Sequence, residues 1–258
     1  MYHLERFRKP NLPKKQYYHL KILTKFNNFA KLLNSDRDEI VKAVIFDVDG
    51  TLYDQSKLRL HILFDMVAAA IRHPGMIYDF KIIWDFRRAR ERNRFSRESG
   101  IEEKQYAWGA AHSHVSVQQV RGIVNRWMFE RPLRYLPACR TKGVKRLFHD
   151  LSERHIRIGI FSDYPANDKL DALDLPSDAV VCALDPDVDR LKPDPKGLLV
   201  TAEKLGVPAG SCLFIGDRDE KDGACARHAG MSFLLLKRNQ DFDRSSDLYK
   251  EIDSWING

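Results

Sequence analysis

The stretch Lys42 to Tyr53, KAVIFDVDGTLY, constrains this chain more than any other part of it. Ala43 to Phe46 is a short apolar run, the pattern of a strand buried on both faces of a parallel sheet. It passes directly into Asp47, Val48, Asp49, Gly50 and Thr51. In extended backbone, residues two apart point the same way, so Asp47 and Asp49 share a face. Gly50 permits a sharp turn that a residue with a Cβ resists. Two carboxylates at the carboxyl end of a buried strand stand where open α/β sheets take their ligands.

The chain's 258 residues suffice for a large core in one or two domains. With 43% apolar and 31% charged residues, the composition is that of a soluble globular protein. No apolar run approaches the roughly 20 residues of a membrane span. MYHLERFRKPN carries charge with no apolar stretch after it, so no secretory signal is expected and a cytoplasmic location is. Cys139, Cys182, Cys212 and Cys225 form no CxxC pair and read as reduced, buried thiols.

The net charge of +7 is uneven: residues 1–40 hold nine Lys and Arg against four acids. Pro10 and Pro13 oppose regular structure there. From Lys21, residues Ile22, Phe26, Phe29 and Leu33 fall at helical spacing with lysines between them, a basic amphipathic helix. Such a helix either packs on the body of the protein or meets a membrane surface or protein partner through residues 21–33.

After Asp54 a long helical stretch replaces the strand–helix alternation. Leu58, Ile62, Met66, Ala69 and Ala70 have helical period up to the His73-Pro74-Gly75 break. Ile77 to Phe95 reads as a second helix, with Ile82, Ile83, Trp84 and Phe86 inward and a run of arginines outward. Glu102 to Ala111 and Val117 to Phe129 read as two more. The arginines of 87–97 suit a solvated face or the steering of an anionic substrate. No aromatic stacking pattern accompanies the charge, so nucleic acid is not an expected partner.

From Gly143 the alternation returns. Strands are expected at Ile156–Phe161, Ala179–Leu184, Ser211–Ile215 and Ser232–Leu236, with helices at Val144–Leu151, Asp168–Leu173, from Pro195 onward with Asp194 as cap, and Leu248–Ile256. Ser162 follows one strand and, on its own, is a helix cap. Lys192 lies in a turn. Gly216-Asp217 ends another strand and Asp222 follows, two carboxylates of the kind that hold Mg²⁺.

DVDGT, followed in order by Ser162, Lys192 and the Gly216–Asp217–Asp222 group, each after a buried strand, resembles the motif set of the haloacid dehalogenase superfamily. Within it the chain is most like phosphoglycolate phosphatases with an inserted helical cap. The resemblance covers about residues 41–236, the cap matching only in position and helical character. It implies an α/β fold: a Rossmann-like core with a mainly parallel sheet at 41–55 and 137–258, and an all-helical cap at 56–136, with 1–40 as a basic extension. It implies an Mg²⁺-dependent phosphomonoester hydrolase acting on a small phosphorylated metabolite. Asp47 would be the nucleophile and Asp49 the general acid/base. Ser162 and Lys192 would hold phosphoryl oxygens, with Thr51 fixing the loop or touching phosphate. The metal would be bound by Asp47, the Asp49 backbone carbonyl and Asp217, with Asp222 either a ligand or a partner of the ligands. The superfamily often has Asn where Asp163 stands; an Asp163 side chain facing the phosphate would repel it.

A dehalogenase has no need of the second carboxylate or a metal, so Asp49 argues against one. A phosphosugar mutase shares all four motifs and differs in the cap. A binding or scaffolding protein built around the basic extension is the reading from a different class.

Overall fold

The computed structural model describes residues 41–96 and 98–257. The basic extension at 1–40, its amphipathic helix at 21–33 and Arg97 therefore lie outside the described residues. Five strands form one sheet: β1 Ala43–Phe46, β2 Arg157–Ser162, β3 Ala179–Cys182, β4 Cys212–Gly216 and β5 Ser232–Leu235. Their order is β3-β2-β1-β4-β5 and every pair is parallel. β1 is central, with Phe46 in register with Ile160 on one side and Ile215 on the other.

β1 is apolar throughout because both faces are covered. Val44 and Phe46 pack into a cluster with Leu147, Phe148, Leu248 and Ile252, from helices α5 (Val144–Glu153) and α9 (Asp247–Asn257). Ala43 and Ile45 face Leu198, Ala202 and Cys225, from α7 (Lys196–Leu205) and α8 (Ala224–Ala229). The remaining core helix, α6, is Asn167–Leu173. The Phe46 and Phe148 rings lie 4.9 Å apart. Phe46 is fully buried, so truncation to Ala would cost about 3–5 kcal/mol in lost burial and cavity. The four cysteines are buried as expected.

Between β1 and α5 the chain is helical: α1 Gln55–Arg72, α2 Ile77–Arg92, α3 Ile101–Ser113 and α4 Val117–Val124. Asp54 caps α1, its Oδ1 accepting from the Ser56 and Lys57 amides. Ser116 and Gln119 form a capping box on α4. The helix expected over Val117–Phe129 changes at Asn125 into a π-helical turn, Asn125–Glu130, which carries Trp127 inward to donate to Asp79 Oδ2 at 2.7 Å. The segment leaves and returns at one place: Tyr53 pairs with Arg140 in an antiparallel bridge, and Thr141 N donates to Leu52 O at 3.0 Å.

α2 departs from expectation in three respects. It ends at Arg92 rather than Phe95. Trp84, expected inside, is 65% exposed, because the buried face is the narrower stripe Asp79, Ile82, Phe86 and Ala89. Arg90, expected outside with the other arginines, is buried on that stripe. α7 begins at Lys196, one residue later than expected, with Asp194 Oδ1 accepting from the Lys196 amide. No helix among the described residues is long and apolar enough to cross a membrane.

Candidate active site

The carboxyl ends of β1, β2 and β4 bring together residues that are far apart in the chain. Asp47 continues the ladder by one bond, its N–H donating to Ile215 O at 2.9 Å. This fixes the loop that starts there against the end of β4. Gly50 follows at φ +101°, and a Cβ on it would stand 2.4 Å from Asp217 Oδ2. A side chain at this position is excluded both by backbone conformation and by the approach of the β4 loop. Gly216 is as tightly placed, since a Cβ there would lie 2.6 Å from the Asp222 carboxyl.

Lys192 is buried and central. Its Nζ donates to Asp47 Oδ1 at 2.5 Å and to Asp222 Oδ1 at 2.8 Å. The other oxygen of Asp47 accepts from Thr51 Oγ1 at 3.2 Å, so Thr51 orients the Asp47 side chain. Asp222 Oδ2 accepts from the Arg218 amide at 3.0 Å. Ser162 is buried at the end of β2, its Oγ accepting from Tyr164 N at 3.2 Å. One oxygen from each of Asp47, Asp217 and Asp222 lies within 4.8 Å of the others. Hard, anionic oxygens at this spacing suit a divalent cation.

The electrostatics reflect the crowding. Burial pushes the Asp47 carboxyl up to about 8; the Lys192 ammonium opposes the rise, while Asp222 and Asp217 add to it. Burial and the neighbouring Asp222 push Asp217 up to about 6. Burial disfavours the Lys192 ammonium, but Asp222 and Asp47 hold its pKa well above the ordinary lysine value. One ammonium thus faces three carboxylates, and the set favours an added positive charge.

Asp49 stands outside this cluster. Its Oδ1 accepts from Lys169 Nζ at 2.5 Å and from the Tyr53 hydroxyl. Burial opposes the charged form, yet Lys169 and Tyr53 outweigh it and hold the carboxyl below its usual range. Asp163 is tied to the Lys192 loop by its side chain and to α2 by its carbonyl. Its Oδ1 accepts from the Lys192 amide at 3.0 Å, and its carbonyl accepts from Arg90 Nη2 at 2.7 Å.

Lys169 and Tyr53 were not singled out from the sequence as site residues, and Arg90 was read only with the outward arginines of 87–97. Lys169 did leave a signal: Ala166, Lys169, Leu170 and Leu173 have the spacing of one helix face, and all four are buried. A lysine on an apolar stripe needs a partner, and Asp49 supplies it.

Two cavities flank the loop. One of about 320 Å³ is bounded by Asp49, Tyr53 and Lys169 and by side chains of α1, α2 and the π-helical turn. The other, about 580 Å³, is bounded by Gly50 and Asp217 and by Asp54, Lys57, Arg140 and Lys237.

A family model described as haloacid dehalogenase-like hydrolase matches residues 41–230. A phosphoglycolate phosphatase of Shigella dysenteriae is 27% identical over 224 residues, 81% of this chain and 86% of its own length. A 2-haloacid dehalogenase from Pseudomonas syringae has a similar structure, with TM-score 0.58 and 19% identity over 84% of this chain and 99% of its own. A β-phosphoglucomutase from Clostridium difficile gives TM-score 0.57 and 15% identity over 84% and 98%. At these identities the two structures speak for the fold alone.

Proposed function

Since the chain belongs to the haloacid dehalogenase-like hydrolases, we propose that it is an Mg²⁺-dependent phosphomonoester hydrolase working through an aspartyl-phosphate, on a small phosphorylated metabolite. The observation that carries this reading is the separation of two carboxylates on one loop. Asp47 sits in the cluster with Lys192, Asp217 and Asp222, while Asp49 is held apart by Lys169 and Tyr53. A dehalogenase needs only the first of them. The likeness to a phosphoglycolate phosphatase supports the same class.

In the first half of the reaction an Asp47 oxygen attacks phosphorus and the bond to the leaving oxygen breaks, that oxygen taking a proton from Asp49. In the second half Asp49 takes a proton from water, the water oxygen attacks phosphorus, and the bond to Asp47 breaks to release inorganic phosphate. The Lys169 contact favours ionised Asp49, which suits the second half. An arriving phosphate dianion opposes that charge and favours the protonated form required by the first. Ser162 Oγ and Lys192 Nζ bind the phosphoryl oxygens, and Thr51 orients the Asp47 side chain. Asp47, Asp217, Asp222 and the Asp49 carbonyl would hold Mg²⁺. When bound, the ion offsets the charge of phosphate and carboxylates together and keeps Asp47 ionised. The helices between β1 and α5 act as the cap, excluding water from the reaction.

The test is phosphate release from a panel of phosphometabolites, with Mg²⁺ and with EDTA, for the native chain and Asp47→Asn. Release requiring both metal and Asp47 is the expected outcome; full activity in Asp47→Asn rejects the assignment.

A further inference from the structure

The cavity beside Asp49 restricts what the leaving group can be. Asp49 must reach the leaving oxygen, so the leaving group lies on the Asp49 side of the loop. Of the two cavities, only the one of about 320 Å³ is bounded by Asp49. It has a charged end and an apolar end. Arg59 on α1 and Arg87 on α2 both line it, and both feel the charge of Asp49. Burial and the adjacent Arg87 lower the pKa of Arg59, so the two guanidiniums converge at the loop. Farther along the same helices, Met66 and Phe80 meet Trp127, Ile62 and Ile83 in one apolar cluster. Arg59 to Met66 and Arg87 to Phe80 are each about 10 Å of helix, two turns. The two helices therefore run in opposite senses along the cavity, and its polarity falls from the catalytic loop outward.

Resting on the hydrolase reading above, we propose that the substrate is a phosphomonoester of an uncharged apolar alcohol, alkyl, prenyl or aryl. Its phosphate enters past Arg59 and Arg87, and its hydrocarbon lies against Met66, Phe80 and Trp127. A carboxylate-bearing group such as glycolate leaves most of this volume unfilled and offers the apolar end nothing. Each methylene added to the alcohol gains burial worth about fourfold in affinity, until the chain has run the roughly 10 Å from the arginines to the Met66 and Phe80 end.

The experiment measures binding and turnover on the full chain with Mg²⁺. Affinities for n-alkylphosphonates from methyl to decyl, and for naphthylphosphonate, are set beside kcat/KM for the corresponding phosphates and for 2-phosphoglycolate. The proposal expects affinity to rise about fourfold per methylene before levelling, with octyl phosphate at least tenfold above 2-phosphoglycolate in kcat/KM. Naphthylphosphonate above octylphosphonate identifies the alcohol as aryl; the reverse identifies it as a chain. The octyl-to-methyl affinity ratio falls about tenfold in Ile83→Asn and in Leu63→Gln, the latter at a wall position already 46% exposed. A flat or falling phosphonate series overturns the proposal, whatever the turnover. A rising series with no turnover of any ester retains the pocket and rejects the hydrolase.

Discussion

Lys169 Nζ lies 2.5 Å from Asp49 Oδ1, although 120 residues separate the two in the chain. The pair ties the loop after β1 to α6, the helix that follows β2. Lys169 is buried, so its charge acts on Asp49 with little screening. Lys169→Met removes the ammonium while keeping the length and the apolar stem. The expected outcome is a drop in kcat of about 10- to 100-fold, the usual cost of losing a partner that orients a catalytic group. Steady-state phosphate release measures it; an unchanged kcat would mean that Asp49 is positioned by Tyr53 alone.

Gly50→Ala tests the closest approach in the site. The new methyl would meet Asp217 at 2.4 Å and its residue would be forced to φ +101°. Destabilisation of about 1–3 kcal/mol follows from the backbone alone, together with displacement of Asp217. Urea unfolding and phosphate release should both register the change. A variant with native stability and native rate would contradict the geometry of the loop.

Removal and return of metal should depend on pH with a definite sign. In the metal-free protein Asp47 and Asp217 are raised to about 8 and about 6. Protons and the cation then compete for the same oxygens, so apparent Mg²⁺ affinity climbs as pH rises from about 6 to about 8. The raised values also mean that the folded metal-free protein binds more protons than the unfolded chain. Its stability accordingly falls as pH rises through this range. Saturating Mg²⁺ reverses the loss, by about 2.7 kcal/mol at a hundred times its Kd. Calorimetric Mg²⁺ titrations at three pH values measure the affinity, and urea unfolding at the same values with and without Mg²⁺ measures the stability, with Asp217→Asn as control.

Away from the site, Asp150 on α5 is gripped by Arg244, whose Nε and Nη2 lie 2.9 and 2.6 Å from its oxygens, and by the Tyr249 hydroxyl at 2.7 Å. Burial works against the carboxylate, but these bonds hold its pKa down to about 2, against 3.8 for an ordinary Asp. The folded value is the lower one, so this contribution to stability is complete above about pH 4 and is lost as pH falls toward 2. Asp150→Asn should flatten that acid limb in a series of urea midpoints between pH 2 and 5. A limb as steep as in the native protein would assign the acid sensitivity to other carboxylates.

The parallel sheet and the ends of its strands were legible because their signals are local. The wholly apolar Ala43–Phe46 runs straight into DVDG, and a second apolar run, β4, likewise ends in Gly216-Asp217 with Asp222 five residues on. The α2 helix was harder to read. Trp84 is more apolar than Arg90, yet Arg90 is inside, stacked 4.2 Å over the Tyr164 ring and bonded to the Asp163 carbonyl. Those partners lie some 70 residues away, and periodicity within one helix carries no information about them. The side chain of Asp163 was ambiguous for the same reason, since its partner is the backbone of Lys192.

The bridge between Tyr53 and Arg140 has a consequence for how such a chain can change. Residues 55–138 depart from the sheet and rejoin it at a single ladder, so to the sheet they are one loop whose ends already touch. The entropic cost of closing a loop grows only with the logarithm of its length, by about 0.6 kcal/mol per doubling. Loop closure itself therefore sets little limit on the length of the insertion; the limit is set by the contacts it makes with the core, Leu58, Ile101 and Leu136 in the core clusters and Arg90 on the Asp163 carbonyl. The Asp47–Asp49 loop and the apolar end of the cavity beside it are thus carried on different pieces of polypeptide, and only those few contacts have to be kept when the insertion changes.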